Sequence, residues 1–125
     1  MKSNRFLAVA TVIAATLAAA PVSAQDPAAG QKLFEARCHI CHYAVPGKDY
    51  IGPSLSGIFG RRIGGEPGYH YSKAQLAADV VFDEAMLDRW ITSPRDVVPG
   101  TRMTYEGVKT PQNRANIIAY LKTLR

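Results

Sequence analysis

Cysteine is scarce in this chain. Only two occur among its 125 residues, Cys38 and Cys41. A closed structural zinc site needs four ligands, so these two would need two more from elsewhere, with His39 and His70 as the candidates. A thiol redox pair usually sits in a βαβ context, and the sequence shows neither that pattern nor a convincing strand hairpin. Long runs of like charge are missing, as is any nucleic-acid motif, which removes nucleic-acid binding from the candidate functions. Residues 25–125 carry no internal repeat and no low-complexity segment. No apolar run reaches the roughly 20 residues that a membrane span requires.

The longest apolar stretch, Phe6 to Ala20, follows the basic residues Lys2 and Arg5 and precedes Pro21-Val22-Ser23-Ala24. A basic start, a short apolar core and small residues at −3 and −1 predict a secretory signal over 1–24, cleaved after Ala24. An uncleaved anchor fits less well, because the stretch is short and no flexible linker follows it. Residues 25–125 are then one small domain placed in the periplasm. Removing Lys2 and Arg5 takes two of 15 basic residues and none of the ten acidic ones, so the formal charge falls from +5 to +3. A chain of this size buries a modest core.

What is present is concentrated in Cys38-His39-Ile40-Cys41-His42. This is C-x-x-C-H, the pattern for covalent attachment of one c-type haem. On a helical turn, positions i, i+3 and i+4 share a face, so Cys38, Cys41 and His42 point the same way. Both sulfurs reach the vinyl groups of one porphyrin, and the imidazole binds its iron from one side. Thioethers are not redox-labile, which suits an oxidising compartment better than two free thiols would. A haem also supplies apolar volume that a short chain lacks.

Asp26-Pro27 reads as a helix start, leading through Gly30, Leu33, Phe34 and Arg37 into the motif. Gly30 and Phe34 share a face. A glycine inside a helix costs about 1 kcal/mol relative to alanine, and close approach of another helix is the expected compensation. Residues 43–68 are rich in Gly and Pro, which is loop chemistry; so long a loop calls for a cofactor to pack on. Ser72–Ala78 reads as a short helix. Asp83 caps a helix through Met86, Leu87, Trp90 and Ile91 that Pro94 ends. Thr110-Pro111 starts the last, with Ile117, Leu121 and Leu124 on its apolar side. The expected fold is all-α: three main helices and long loops wrapped around one covalently bound haem.

His42 leaves one axial position of the iron open to His39, His70, Met86 or Met103. His39 lies inside the motif and faces away from the ring. His70 is in a loop, and Met86 has the spacing of core packing with Trp90. Met103 sits in a loop bounded by Pro99-Gly100, where regular packing does not account for a flexible thioether.

Several segments in order, Cys38–His42, Gly52–Arg61, Gly68–Ser72, Val98–Met103 and Ala119–Leu121, resemble class I c-type cytochromes of the mitochondrial cytochrome c and bacterial cytochrome c2 group. The resemblance runs from about Ala29 to Leu121. It implies that Met103 is the distal ligand and that the Pro53 carbonyl accepts the Nδ1 proton of His42. It further implies that Arg61 and Tyr71 bond the haem propionates, with Ser72 and Thr101 in the same network. Gly30, Phe34, Ile117 and Tyr120 match the family's contact between first and last helices. Three positions depart from the pattern. Phe82 stands where a propionate-bonding tryptophan is common, Trp90 where a tyrosine lies near the methionine sulfur, and Gln75 where an asparagine accompanies a buried water.

A His/Met pair leaves no open coordination site, and a soft thioether raises the potential. The expected function is therefore a soluble one-electron carrier, not an enzyme, shuttling electrons between redox proteins through haem c. Lys32, Arg37, Arg95, Arg102 and Lys109 match the family's basic ring around the haem edge, interrupted by Asp96. They imply partners with acidic docking faces, such as an oxidase, dehydrogenase or reaction centre, met by a monomer. The rivals are a haem enzyme or ligand sensor with a labile methionine, and a dedicated subunit of a larger dehydrogenase or oxidase.

Overall fold

The computed structural model describes residues 24–125. The signal sequence expected over 1–24 thus lies, but for Ala24, outside the described residues. Five helices follow one another: α1 Pro27–Arg37, α2 Lys73–Ala77, α3 Glu84–Thr92, α4 Pro94–Val97 and α5 Pro111–Leu121. Among the described residues there is no strand beyond one isolated antiparallel bridge, Arg62 to Val81. No helix among them is long and apolar enough to cross a membrane.

Each helix start follows from local chemistry. The Asp26 carboxylate accepts from the backbone N–H of Ala28 and Ala29 at 2.9 and 3.1 Å, and Pro27 occupies the first helical position, where its missing N–H costs nothing. Asp83 accepts from Met86 N–H at 2.8 Å. Ser72 and Gln75 form a reciprocal capping box at the start of α2. Pro94 ends α3 and opens the short α4. Thr110 stands at the N-cap of α5, but its side chain makes no capping bond. Its carbonyl receives Arg114 N–H instead.

Helices α1 and α5 cross in direct contact at Gly30. A Cβ placed there would lie 1.9 Å from the Asn116 carbonyl oxygen, so only glycine allows the approach. Phe34 then packs on Tyr120, ring centroids 5.2 Å apart, and the Asn116 side chain accepts Asp26 N–H at 3.0 Å. The glycine's propensity cost is offset by this contact, as expected from its face. Gly30→Ala should destabilise the fold by about 1–3 kcal/mol, the usual cost of overpacking; urea midpoints of the two proteins measure it. The core continues through Leu87, Trp90 and Ile91 of α3 to the fully buried Ile117 and Ile118 of α5.

The long 43–68 segment braces itself. Ser54 is fully buried; its hydroxyl donates to the Val45 carbonyl at 2.6 Å and its N–H to Asp49 Oδ1 at 2.8 Å. Further on, Ile63 N–H reaches the Val80 carbonyl and Phe82 N–H the Arg61 carbonyl, both at 2.9 Å. These bonds hold the loop as one wall of a cavity.

Candidate functional site

The cavity encloses about 600 Å³. Cys38, Cys41, His42, Pro53, Arg61, Tyr71, Trp90 and Met103 all line it, with Leu55, Ile58, Phe82, Leu87 and Leu121 among its apolar walls. Residues more than 60 positions apart are thus brought to one space.

Helix α1 ends at Arg37, one residue before the motif. Cys38 is its C-cap, and 38–41 form a turn rather than helix. The shared face survives because His42 N–H still donates to the Cys38 carbonyl at 2.9 Å, an i to i+4 bond. Cys38 and Cys41 are not joined to each other as a disulfide. Burial pushes the Cys38 thiol up to about 11, against smaller opposing and reinforcing effects of Arg37 and Cys41. A catalytic redox thiol is shifted the other way. No group of three or more His, Cys, Asp or Glu that could hold a metal occurs among the described residues. The pair therefore suits neither thiol exchange nor a closed zinc site.

His42 is buried, and its Nδ1 lies 2.7 Å from the Pro53 carbonyl. A carbonyl only accepts, so Nδ1 carries the proton and Nε2 keeps its lone pair for a metal. Burial lowers the imidazole's pKa, partly opposed by the Pro53 bond and reinforced by the Arg61 charge. A neutral imidazole is the ligating form. The glycine before Pro53 is equally constrained: a Cβ on Gly52 would lie 2.2 Å from His42 Cε1. In the sequence Gly52 is one more loop glycine; its role as the floor beneath the imidazole appears only in three dimensions.

Met103 enters from the loop before α5. Its N–H donates to Thr101 Oγ1 at 3.2 Å, and Arg102 ties the same loop to the chain near α2 by donating from Nη1 to the His70 carbonyl at 2.6 Å. Met86 packs against the core from α3 and does not line the cavity. His39 is exposed and stacks near Phe34 and Tyr43. His70 is exposed outside the main cavity.

Arg61 offers five N–H donors. Nη1 donates to Glu66 Oε2 at 2.5 Å and to the Ser56 carbonyl at 3.2 Å, and Nη2 to the Ser54 carbonyl at 2.7 Å. The Nε hydrogen and one on Nη2 keep no protein partner among the described residues, although Arg61 lines the cavity. Tyr71 also lines it, and its hydroxyl accepts Glu66 N–H at 3.2 Å. Burial raises the Tyr71 pKa, with the Glu66 bond lowering it in part, so the phenol stays a donor. An apolar cavity with two thiols, a metal-ready imidazole, a thioether and spare donors fits an iron porphyrin with its carboxylates.

Ser72 and Thr101 stand beside the cavity rather than in its wall. The Ser72 hydroxyl caps α2 and that of Thr101 holds Met103 N–H. Gln75 does line the cavity, and its side chain accepts Ser72 N–H at 3.0 Å and Arg102 N–H at 3.5 Å. Trp90 packs edge-on against Phe82, centroids 5.4 Å apart.

Residues 27–125 match the family described as Cytochrome c. The chain belongs to the cytochrome c family. It is 46% identical over 100 residues to cytochrome c2 of Rhodopila globiformis, covering 80% of this chain and 94% of that protein. It is 42% identical over 100 residues to cytochrome c of Euglena viridis, covering 80% and 98%. Among solved structures, cytochrome cH from Methylobacterium extorquens superposes with a TM-score of 0.73 at 40% identity, covering 78% of this chain and 98% of that one. The all-α architecture is thus the cytochrome c fold. As a member of this family the chain is an electron carrier with covalently bound haem c, not an enzyme, and its partners are redox proteins.

Proposed function

We propose that this cytochrome is a periplasmic one-electron carrier in which Cys38 and Cys41 hold the haem as thioethers and His42 and Met103 are the axial ligands. The observation that carries the ligand assignment is the 2.7 Å bond from His42 Nδ1 to Pro53, which leaves Nε2 for iron in the cavity that Met103 also lines. Bound there, the haem supplies a ferric/ferrous couple. The chain's own residues would hold it: His42 and Met103 would ligate the iron, and the apolar walls would exclude water and stiffen the surroundings. A Met103 thioether on the iron would favour the ferrous state, as would burial, since both disfavour the extra positive charge of the ferric state. Arg61 and Tyr71 would meet the propionates with the donors left free of protein partners. Pro53 would orient His42, Trp90 would pack at the ring, and Ser72 and Thr101 would support the same network from behind.

Partner docking is proposed at the exposed edge, through acidic faces. Lys32, Arg37, Arg95, Arg102 and Lys109 are all exposed, and Arg37 and Arg102 reach the cavity lining itself. Stopped-flow electron exchange with an acidic redox protein should slow by about tenfold or more between low and physiological ionic strength, as charge steering is screened. A rate indifferent to salt would remove the acidic-face proposal. Fractionation of the native host, with holoprotein released by periplasmic extraction and its first residue read by mass spectrometry, tests the location and the cleavage after Ala24.

A further inference from the structure

The guanidinium proposed to face the haem carboxylates does not act alone. Glu66 lies in the turn between Gly64-Gly65 and Pro67-Gly68, and its side chain is only 8% exposed. A buried carboxylate needs a strong partner, and this one has Arg61, itself 14% exposed, at 2.5 Å. Its backbone N–H meets the hydroxyl of Tyr71 at 3.2 Å. One residue thus engages both side chains that would receive the propionates, yet does not itself line the cavity. Nothing in local spacing or periodicity singled it out.

The consequences follow from charge and geometry. The bond to Glu66 and the one to the Ser56 carbonyl account for both hydrogens of Arg61 Nη1. That fixes the plane of the fork and leaves Nε and one Nη2 hydrogen free of protein partners. A negative charge behind the guanidinium also cancels part of its positive field. A cation near the haem disfavours ferric iron, and an anion favours it. In a site this poorly exposed, neither charge is fully screened.

We propose that Glu66 is a positioning residue for the haem-carboxylate network, holding Arg61 in place and offsetting its charge so that the reduction potential sits lower than Arg61 alone would set it. The proposal rests on the reading that Arg61 faces the propionates, and the experiment separates the two. Midpoint potentials of the wild-type holoprotein and of Glu66→Gln, Glu66→Ala, Glu66→Asp and Arg61→Gln are measured at neutral pH and low salt. The visible spectrum and urea midpoint of each are recorded, so that damage to the fold is seen apart from a shifted potential.

Glu66→Gln keeps the size and hydrogen-bonding capacity but not the charge. It should move the reduction equilibrium about three- to tenfold toward the ferrous form, tenfold being about 59 mV for one electron. Glu66→Ala should move it the same way, so the result does not hang on one variant. Glu66→Asp, which restores the charge, should fall nearer the wild type than Glu66→Gln does. Arg61→Gln should move the equilibrium in the opposite direction. If Arg61→Gln shifts the potential but Glu66→Gln and Glu66→Ala leave it unchanged or lower it, Glu66 is only a structural prop and the proposal is wrong. If Arg61→Gln itself leaves the potential in place, the propionate assignment fails, and Glu66 as a tuner of that network fails with it.

Discussion

Replacing both Cys38 and Cys41 with alanine is expected to yield a chain that retains no haem on a denaturing gel and does not fold to a stable state. The first part is chemical: without sulfur there is no thioether, and axial bonds alone do not survive denaturation. The second part follows from the size of the cavity. At about 24 cal/mol per Å³ of unfilled apolar space, a cavity near 600 Å³ corresponds to a penalty on the order of 10 kcal/mol. That rivals the whole net stability of a small domain, roughly 5–15 kcal/mol. The helices would lose the surface on which Leu55, Ile58, Phe82 and Leu87 converge. Haem staining after electrophoresis and far-ultraviolet circular dichroism measure the two parts separately. A stably helical, haem-free double variant would mean that the cavity collapses on its own side chains and that the cofactor contributes little to the fold.

Met103→Ala should give the second-largest effect, and one of a different kind. The thioethers and His42 remain, so the protein matures and keeps its colour. The sixth coordination position opens, and the spectrum turns high-spin or shows water or an external ligand in its place. Loss of a soft neutral ligand should shift the reduction equilibrium toward ferric iron by at least about a hundredfold, about 120 mV. Carbon monoxide should then bind the reduced form readily. Met86→Ala serves as the control, since Met86 packs on the core outside the cavity lining and its loss should leave spectrum and potential nearly unchanged. If Met86→Ala alone opened the iron, the distal ligand would be Met86.

Much of this was legible in the sequence because it depends on short-range rules. Asp26-Pro27 and Asp83 announce helix starts, and both cap as their chemistry requires, whereas the sequence marks α2 only as a short helix and its Ser72/Gln75 capping box is seen in the fold. Gly30 spaced four from Phe34 called for close approach of another helix, and the family resemblance implied that this helix is the last. Thr110 shows where such rules weaken, for it takes the capping position without a capping bond. The C-x-x-C-H segment gave the right shared face by a slightly wrong route, since α1 stops at Arg37 and the motif sits on the turn beyond it.

What was not legible depends on where distant loops meet. Glycine at position 52 reads as a turn residue until the His42 ring is found against it. Glu66 reads as one more charge in a Gly/Pro loop until the fold places its carboxylate on Arg61 and its amide on Tyr71. Ser72 and Thr101 could be placed near the haem only by resemblance; the structure shows their hydroxyls engaged with backbone N–H groups instead. No periodicity encodes such contacts, because their partners are set by closure of a long loop.

The most direct measurement is the visible spectrum of the matured protein in both oxidation states, followed by addition of carbon monoxide to the reduced form. A covalent low-spin haem with the weak near-red sulfur-to-iron band when oxidised, and no spectral change with carbon monoxide when reduced, is the result that His42/Met103 ligation predicts. A high-spin spectrum, or prompt carbon monoxide binding by the unaltered protein, would contradict it and leave Met103 without its place on the iron.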